Sequence, residues 1–285
     1  MERMEDRKTA IVTGASSGFG LLTSIELAKR GFNVIATIRD LEKKQVLLDV
    51  ARTLQVEEQL TVLSLDVTNS GQIESLKKGL GARTSVDVLV NNAGYAVGGF
   101  CEEITLDEYR EQFETNFFGV IAVTQVVLPF MREQGRGKVI NVSSISGLTG
   151  FPGLSPYVAS KHALEGVTEC LRLEMKPFGI EVALVEPGSY QTNIWSSGKR
   201  VAEKSLNGDS PYATYMQTIE NKIEEGVPSF GNPQEVANLI AGLCEREKIR
   251  PLRFLVGKGI KAVVFIKKWV PWAQWEKAFY KRLLK

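Results

Sequence analysis

Short apolar runs alternate along the chain with longer amphipathic segments. Each run is four to six residues long and rich in apolar and β-branched residues, as expected for a strand that is covered on both faces. The runs lie at residues 10–13, 34–37, 60–65, 86–91, 138–143, 181–186 and 253–256. Strands that alternate with helices are typical of βαβ units with right-handed crossovers. The pattern therefore predicts an α/β fold, a single doubly wound domain with a mainly parallel sheet of about seven strands and helices on both faces.

Two segments depart from this alternation. Residues 189–228 show no strand pattern, and we expect a partly helical excursion over the carboxyl ends of the strands, with aromatic residues at Tyr190, Trp195, Tyr212 and Tyr215. Residues 257–285 interleave apolar side chains with lysines, and Pro271 divides them into two predicted helices, 258–270 and 272–284. We predict one domain over residues 1–256, which includes the excursion, and an amphipathic C-terminal extension over residues 257–285.

Charge and cysteine content narrow the function classes. The chain has 35 basic and 33 acidic residues, a balance that argues against nucleic-acid binding as its main function. Its cysteines, Cys101, Cys170 and Cys244, form no C-x2-C pair, so we expect neither a disulfide framework nor a metal site. Residues 1–8 are charged and lack a signal-peptide core, and no stretch approaches the roughly 18 uninterrupted apolar residues of a membrane span. We therefore expect a cytoplasmic protein.

A glycine-rich turn follows the first predicted strand and precedes a predicted helix at residues 21–30. Glycine lets the backbone turn tightly and approach a pyrophosphate, and the first N–H groups of a helix attract its negative charge. A plain tight turn is the alternative, but the strand before and the helix after favour a dinucleotide-binding loop. The predicted cofactor-binding residues here are Gly14, Ser16, Ser17, Gly18, Phe19 and Gly20.

The glycine spacing, Gly-x3-Gly-x-Gly, differs from the G-x-G-x-x-G dinucleotide pattern and resembles that of the short-chain dehydrogenase/reductase family. The resemblance covers about residues 8–256 in motif order. It is to the non-extended branch, which includes hydroxysteroid and retinol dehydrogenases, and it implies a Rossmann-type fold. A sugar-nucleotide enzyme of the extended branch is disfavoured, because its glycines would be spaced Gly-x2-Gly-x2-Gly.

The resemblance implies further cofactor contacts. Asp66 and Val67 match the contact to the adenine ring, and the alternative for Asp66 is a helix N-cap. The segment from Asn91 to Gly94 matches a motif that stabilises the sheet and borders the cofactor, with Asn91 as a candidate cofactor-side residue, and the alternative is a turn that merely ends a strand. This motif supplies Asn92, Ala93 and Gly94, and the segment at the nicotinamide end supplies Pro187, Gly188 and Thr192.

The end of the second predicted strand decides between NADH and NADPH. NAD-preferring relatives have an acid there, which accepts hydrogen bonds from the ribose hydroxyls. Here the position falls at Ile38, and the guanidinium of Arg39, which follows, can bind a 2′-phosphate with paired charge-assisted bonds. Ser17 resembles the partner that completes such a phosphate site. We expect NADP(H) as the cofactor; the alternative for Arg39 is a solvated charge paired with Asp40.

Tyr157 and Lys161 lie four residues apart on a predicted helix and therefore share a face. Carbonyl reduction needs a proton donor, and a phenol with a pKa near ~10 exchanges protons poorly at neutral pH unless a positive charge lies beside it. An ammonium about 4 Å away favours the tyrosinate by roughly 4 kcal/mol. In the family that the sequence resembles, this tyrosine is the general acid/base, and the lysine also holds the nicotinamide ribose.

The resemblance adds two residues to the predicted catalytic set. Ser144, thirteen residues before Tyr157, matches a serine that orients the substrate carbonyl, and strand alternation turns its neighbour Ser143 to the opposite face. Asn116 matches an asparagine that holds a water beside the lysine; the alternative is a helix-interior residue bonded to backbone. His162 is the only histidine, and a helical turn of about 100° separates it from Lys161, so we expect a structural role and no Ser-His-Asp hydrolase.

These patterns together predict an NADP(H)-dependent oxidoreductase that interconverts a carbonyl and an alcohol on a small lipophilic substrate. The aromatic residues of the excursion, with Phe100, Cys101 and Phe151 near strand ends, predict an apolar pocket. The alternative from another class is an NADPH-binding sensor or scaffold without turnover. Such a protein would be expected to lack the set Asn116, Ser144, Tyr157 and Lys161.

Two surfaces predict partners. The helix predicted over residues 105–133 begins with capping-box spacing at Thr105 and Glu108 and is more apolar than one core face requires, so we expect a homodimer through it and the 155–178 helix. The segment 258–285 combines basic charge with tryptophan and phenylalanine, as segments at a membrane interface do. Two alternatives stay open for it: its apolar faces pack over the substrate cleft or a partner subunit, or it makes a peripheral contact at the inner face of a membrane.

Overall fold

The structure, a computed structural model, describes residues 7–81, 85–192, 194, 198–206 and 209–283. Its strands are β1 (Thr9–Val12), β2 (Asn33–Ile38), β3 (Leu60–Ser64), β4 (Val88–Asn91), β5 (Ala96–Gly98), β6 (Gly137–Val142), β7 (Ile180–Pro187), β8 (Lys199–Val201) and β9 (Arg253–Val256). One parallel sheet has the order β3-β2-β1-β4-β6-β7-β9. The seven runs predicted from the sequence correspond to the seven strands of this sheet, which confirms the doubly wound α/β fold.

The strand order reverses between β1 and β4. From β1 the chain moves outward through β2 to β3, then returns to β4 on the other side of β1. The loops that leave β1 and β4 therefore diverge, and they open a crevice at the carboxyl edge of the sheet. Ligands of such folds bind at this position.

The helices cover both faces of the sheet. They are α1 (Gly18–Lys29), α2 (Lys44–Thr53), α3 (Ser70–Leu80), α4 (Leu106–Phe113), α5 (Gly119–Gln134), α6 (Ser155–Met175), α7 (Ala213–Gly226), α8 (Gln234–Glu245), α9 (Ile260–Trp269) and α10 (Trp272–Leu283). One core cluster joins α1, α2 and α8 to Ala10 and Val12 of β1, and the other joins α3, α5 and part of α6 to Ile11. Alternate residues of one strand thus serve opposite cores, as in a sheet buried on both faces.

The helix predicted over residues 105–133 is present as the run Leu106–Gln134 and contains a π-helical turn. Its capping box is present, since Thr105 Oγ1 accepts from the N–H of Glu108 and the Glu108 carboxylate accepts from the N–H of Thr105. A π-helical turn, Glu114–Phe118, separates α4 from α5. The run Leu106–Gln134 is long and apolar enough to cross a membrane by length and composition alone, but Val123, Val127 and Met131 are buried against the sheet. We therefore interpret it as a core helix.

The segment 189–228 differs from the prediction at one point. It contains a strand, β8, which pairs in parallel with β5 as a small second sheet, through the register Ala96↔Lys199 to Gly98↔Val201. Strands of three residues are too short to produce a recognisable alternation, and neither was predicted. The other residues of the segment that the structure describes are helical or irregular, and Trp195 lies outside the described residues.

The C-terminal extension forms the two predicted helices, α9 and α10, and Pro271 lies between them. Ile260 at the start of α9 packs against Gly188 after β7. Farther along, Lys267 Nζ donates to the carbonyl of Leu148, and the Phe279 ring lies 6.3 Å from that of Phe151. One side of the extension therefore covers the loop after β6.

Candidate active site

The loop between β1 and α1 is shaped for close approach. Gly14 and Gly18 have φ angles of +69° and +54°, in the region that favours glycine. A side chain at Gly14 would stand 2.8 Å from Cα of Ala93, and one at Gly20 would overlap the carbonyl of Gly14. Ser17 is the N-cap of α1, its side chain makes no capping hydrogen bond among the described residues, and no acid lies in the first turn. The positive end of α1 therefore opens on the crevice.

Thr13 and Asn92 fasten this loop to the loop after β4. Thr13 Oγ1 accepts from the N–H groups of Asn92 and Ala93, at 2.9 and 3.0 Å. Asn92 Nδ2 donates to the carbonyls of Thr13 and Gly14, at 2.9 and 3.0 Å. The predicted residues Asn92 and Ala93 therefore border the glycine loop. Thr13 was not predicted, although a polar residue that ends an apolar strand was the available signal.

Asn91, one residue earlier, belongs to the core. It is buried, and its Nδ2 donates to Thr124 Oγ1 and Asn141 Oδ1, both at 2.9 Å. It thereby links β4 to α5 and β6. Its hydrogen bonds support the sheet-stabilising part of the predicted motif rather than a place beside the cofactor.

Arg39 is exposed at the carboxyl end of β2, beside the buried Ile38. Asp40 does not pair with it: the Asp40 carboxylate accepts from the N–H of Glu42 at 3.1 Å and lies 3.7 Å from Lys43 Nζ. The alternative of an Arg39–Asp40 pair is therefore wrong. Arg39 forms no ion pair with any part of the chain that the structure describes, so its guanidinium is available to a ligand.

Asp66 and Val67 follow β3 at the same edge. The Asp66 carboxylate accepts from the N–H and Oγ1 of Thr68, at 2.9 and 2.7 Å. The N-cap of α3 is Asn69, whose Oδ1 accepts from the N–H of Gln72 at 3.0 Å, so the N-cap alternative for Asp66 is wrong. Val67 is buried against Gly119, where a side chain would stand 2.7 Å from Val67 Cγ2. The segment is thus fixed between the sheet edge and α5.

The residues after β7 lie over the start of α1. Pro187 ends β7, and the N–H of Gly188 donates to the carbonyl of Val256 at 3.0 Å. A side chain at Gly18 would stand 3.6 Å from Cβ of Thr192. The structure therefore brings Thr192 onto the glycine loop, from which it is distant in sequence.

Tyr157 and Lys161 are buried on the first turns of α6, with Lys161 Nζ 5.8 Å from the centre of the Tyr157 ring. Lys161 Nζ donates to the carbonyl of Val142, at the end of β6, at 2.8 Å. Burial lowers the pKa of Lys161 to about 8, and the charge of Glu165 opposes this effect. His162, by contrast, is exposed, and its Nδ1 lies 2.9 Å from the carbonyl oxygen of Val158.

Burial also raises the pKa of Tyr157, while the Ser144 hydroxyl acts in the opposite direction. The expectation that Lys161 alone brings this phenol towards neutral pH is therefore wrong for the protein by itself. The physical reason is that burial disfavours the charged tyrosinate, while the Lys161 ammonium is directed at the Val142 carbonyl.

Ser144 follows β6 and is the N-cap of the short turn Ile145–Gly147, where its Oγ accepts from the N–H of Ser146 at 3.1 Å. The Ser144 side chain, by hydrogen bonding, lowers the pKa of Tyr157 and so opposes the effect of burial. Ser143 is buried, and its hydroxyl has no partner among the described residues; a side chain at Gly147 would stand 2.8 Å from it. The thirteen-residue spacing thus selected the serine that meets the tyrosine.

Asn116 lies fully buried in the π-helical turn between α4 and α5. Its Oδ1 accepts from the N–H of Tyr95 at 3.1 Å, and its Nδ2 donates to the Tyr95 carbonyl at 3.0 Å and to Ser160 Oγ at 3.3 Å. A side chain at Gly94 would stand 3.1 Å from Asn116 Oδ1. Asn116 therefore joins the loop after β4 to the helix that carries Lys161, and the backbone-bonding alternative describes part of what it does.

A buried acid pair lies one helical turn beyond Lys161 and was not predicted. Arg253 Nε lies 3.0 Å from Glu165 Oε2 on α6 and 3.2 Å from Glu186 Oε1 on β7. Burial and the charge of Glu165 raise the pKa of Glu186 to about 8, and Arg253 opposes this shift. The available signal in the sequence was Glu186, an acid at the end of the predicted strand over residues 181–186.

The predicted pocket residues separate into two groups. Phe100 is buried, stacks on Tyr212 with ring centres 4.4 Å apart, and lies 5.0 Å from the Tyr215 ring. Tyr190 instead lies in the core against Phe19, and its hydroxyl donates to Glu235 at 2.8 Å. Cys101 is exposed, and its Sγ accepts from the Tyr109 hydroxyl at 3.4 Å. Phe100, Tyr212 and Tyr215 therefore form the aromatic cluster beside β5.

The described residues fit a dinucleotide. The missing side chains of the glycine loop leave a cradle that any Cβ at Gly14 or Gly20 would fill, and the unopposed N-terminus of α1 offers N–H groups to a pyrophosphate. From this cradle, contacts run from Gly14 to Ala93, from Gly94 to Asn116, and from Asn116 to Ser160 beside Lys161. Within the described ranges no group of three or more potential metal ligands occurs.

Comparison with known proteins agrees with this geometry. The pattern of the short chain dehydrogenase family matches residues 8–201. An oxidoreductase of Bacillus subtilis, YusZ, described as uncharacterized, is 50% identical and covers 98% of this chain and 99% of its own. A 3-ketodihydrosphingosine reductase of Bacteroides thetaiotaomicron is 36% identical over 92% of each chain. Human retinol dehydrogenase 8 is 39% identical over 70% of this chain and 63% of its own.

Solved structures share the fold over most of the chain. A short-chain dehydrogenase from Streptomyces avermitilis superposes with a TM-score of 0.79 at 35% identity, covering 98% of this chain and 97% of its own. ElxO with NADP bound gives 0.75 at 26% identity, covering 90% and 99%. A short chain dehydrogenase/reductase from Burkholderia phymatum in complex with NAD gives 0.78 at 27% identity, covering 93% and 94%.

Proposed function

The chain belongs to the short-chain dehydrogenase family, and from that premise we propose that it is an NADP(H)-dependent oxidoreductase that interconverts a carbonyl and an alcohol on a small lipophilic substrate. The observation that carries this proposal is the unbroken path of contacts from the glycine cradle to the buried Tyr157–Lys161 pair. A dinucleotide cradle and a proton-transfer pair at one sheet edge are what hydride transfer to a carbonyl requires.

The preference for NADP(H) over NAD(H) rests on Arg39. Relatives have been crystallised with either cofactor, so the family alone does not choose. The buried, apolar side chain of Ile38 cannot accept a hydrogen bond from a ribose hydroxyl. The exposed Arg39 guanidinium beside it, which has no ion-pair partner among the described residues, can bind a 2′-phosphate. The uncapped Ser17 hydroxyl at the start of α1 supplies a second donor.

The proton transfer in the proposed reaction belongs to Tyr157. A bound nicotinamide supplies or accepts the hydride at the carbonyl carbon. Because burial raises the pKa of Tyr157, its phenol is protonated at neutral pH, and Oη can give its proton to the developing alkoxide oxygen. The Lys161 ammonium lies near enough to stabilise the tyrosinate that remains, and a pKa of about 8 keeps it mostly protonated at pH 7.

Ser144 and Asn116 position the reacting groups. The Ser144 hydroxyl, which acts on Tyr157, can donate to the same carbonyl oxygen and so orient it towards the phenol. Asn116 is held by Tyr95 and Ser160, and it fixes the backbone next to Lys161. Tyr157 borders the cofactor as the proton donor. Lys161 supports that proton transfer and also binds the nicotinamide ribose, as the family resemblance implies.

A lipophilic substrate is supported by two observations. The aromatic cluster of Phe100, Tyr212 and Tyr215 lies beside β5, and α9 and α10 lie over the loop that follows Ser144. In addition, the names of two relatives refer to lipophilic molecules, a 3-ketodihydrosphingosine and a retinol. A long-chain or polyene carbonyl is the substrate class that we propose.

A substrate panel tests this function. The purified protein is mixed with NADPH and, separately, with steroid ketones, retinal, 3-keto sphingoid bases, simple aldehydes and diketones, and NADPH absorbance and alcohol product are both followed. We expect at least one lipophilic carbonyl to yield alcohol in equal amount to the NADPH consumed. Tight NADPH binding without turnover on any compound would contradict the proposal and identify a cofactor-binding sensor instead.

A further inference from the structure

The C-terminal extension has two apolar faces, and the fold covers only one of them. Residues at helical spacing, Ile260, Val263, Val264, Lys267, Trp275 and Phe279, are half-buried against the body of the protein. On the opposite side of α9, Phe265 and Trp269 are 66% and 69% exposed, with ring centres 6.4 Å apart, and Trp272 at the start of α10 is 65% exposed. Three bulky aromatic side chains within eight residues are thus mostly exposed to solvent, which is characteristic of an interaction surface. We name these three residues the aromatic ridge.

Basic side chains flank the aromatic ridge. Lys261 and Lys268 are exposed beside it on α9, and Lys268 Nζ lies 5.8 Å from the centre of the Trp269 ring. Lys277 and Lys281 are exposed on α10. Residues 258–285 contain eight lysines and arginines against one acid, Glu276. The remaining 257 residues contain 27 basic and 32 acidic side chains, so the positive charge of the near-neutral chain is concentrated in its C-terminal extension.

We propose that the aromatic ridge and its flanking lysines dock this protein onto an anionic lipid bilayer. Tryptophan and phenylalanine insert at the boundary between headgroups and acyl chains, while lysines bind anionic headgroups. The two helices have 10 and 12 residues, about 15 and 18 Å of length, so they lie in the plane of the interface and do not cross the roughly 30 Å hydrocarbon core.

A second copy of the chain fits this surface less well. Two extensions facing each other would bring two strongly basic segments together, and like charges at an interface oppose association. The half-buried face is already occupied by Leu148, Phe151 and Gly188 of the same chain. In this proposal one side of the extension covers the loop after β6 and the aromatic ridge docks on the bilayer, so the two interpretations of the sequence are compatible.

Vesicle co-sedimentation of the full chain tests the docking, and it needs no substrate and no turnover. The vesicles are phosphatidylcholine alone or phosphatidylcholine with phosphatidylserine. We expect binding to the anionic vesicles at low salt, and a loss of about tenfold or more at 1 M salt, where the Debye length falls to about 3 Å. No binding to anionic vesicles at low salt would overturn the proposal, as would equal binding to both kinds of vesicle.

Matched variants separate docking from folding. The triple variant Phe265→Ser, Trp269→Ser, Trp272→Ser should lose vesicle binding by about tenfold or more and keep its thermal unfolding midpoint, because all three side chains are mostly exposed. The control Val46→Ser, Leu54→Ser removes exposed apolar side chains on α2 and at its C-cap and should bind as the unmodified protein does. A triple variant that binds vesicles normally, or one whose only change is a halved mass in light scattering, would overturn the assignment.

Discussion

We expect one side chain, that of Arg39, to determine the preference for NADPH over NADH. We predict that Arg39→Asp shifts the ratio of kcat/KM for NADPH over NADH by about ten- to a hundredfold towards NADH, the equivalent of roughly 1.5–3 kcal/mol for an exposed charge-assisted contact. Steady-state kinetics with both cofactors measures the ratio. Arg110→Asp, at an exposed arginine paired with Asp107 on α4, is the control and should leave the ratio unchanged. Equal kcat/KM for the two cofactors in the unmodified protein would refute the preference.

At the residue scale, the spacing of motifs predicted which residues lie at the site, but it did not predict the pKa shifts and hydrogen-bond partners of those residues. The glycines, Ser144, Tyr157 and Lys161 all lie at the site because their separations along the chain reflect backbone geometry, which a sequence carries directly. The direction of the Tyr157 pKa shift could not be predicted, because it depends on burial by segments distant in sequence. The same holds for Asp40, whose carboxylate turns to its own helix start instead of to Arg39.

At the scale of elements, α6, β7 and β9 meet at the acid pair Glu165 and Glu186. The pKa of Glu186 is raised from the ordinary 4.5 to about 8, so folding favours its protonated form. Its contribution to stability is therefore complete below about pH 4.5 and is lost as the pH rises through about 8. Above that pH two buried carboxylates share the charge of Arg253, which is a destabilising arrangement.

Glu186→Gln is predicted to flatten this pH dependence, because the amide imitates the neutral carboxyl at every pH. Between about pH 5 and pH 9, the thermal midpoint of the variant should fall by less than that of the unmodified protein. Thermal unfolding across a pH series measures the difference. Glu169→Gln, which removes an exposed partner of the same arginine, should keep the original slope. Parallel curves for Glu186→Gln and the unmodified protein would show that Glu186 is ionised throughout.

The elements themselves were predictable where their pattern was long. The seven strands of the main sheet carry near-continuous apolar runs because helices cover both faces, and such runs are visible in one sequence. β5 and β8 have three residues each and show no such run. The π-helical turn contains Asn116, whose hydrogen bonds to Tyr95 and Ser160 reach segments distant in sequence, and no local periodicity records those contacts.

At the scale of the whole molecule, a second apolar surface is left exposed on α4, the π-helical turn and α6. Leu106, Phe118 and Leu173 are 71%, 50% and 74% exposed. We propose that this surface joins two copies of the chain, and we predict a mass of about 63 kDa by light scattering, twice that of the 31.5 kDa chain. The pair Phe118→Glu, Leu173→Glu should return the mass to that of one chain, and Val46→Glu on α2 should not. A single-chain mass for the unmodified protein at micromolar concentration would rule the dimer out.

The central claim is that Tyr157 transfers the proton while bound NADPH supplies the hydride, and Tyr157→Phe tests it most directly. With a carbonyl compound that the panel identifies, the variant should lose at least about a hundredfold in kcat and keep its NADPH dissociation constant within about twofold, because the phenol acts in the transition state. Tyr109→Phe removes a hydroxyl bonded to Ser155 on the same helix and should keep near-normal kcat. A Tyr157→Phe protein that retains more than about a tenth of the original kcat would contradict the account.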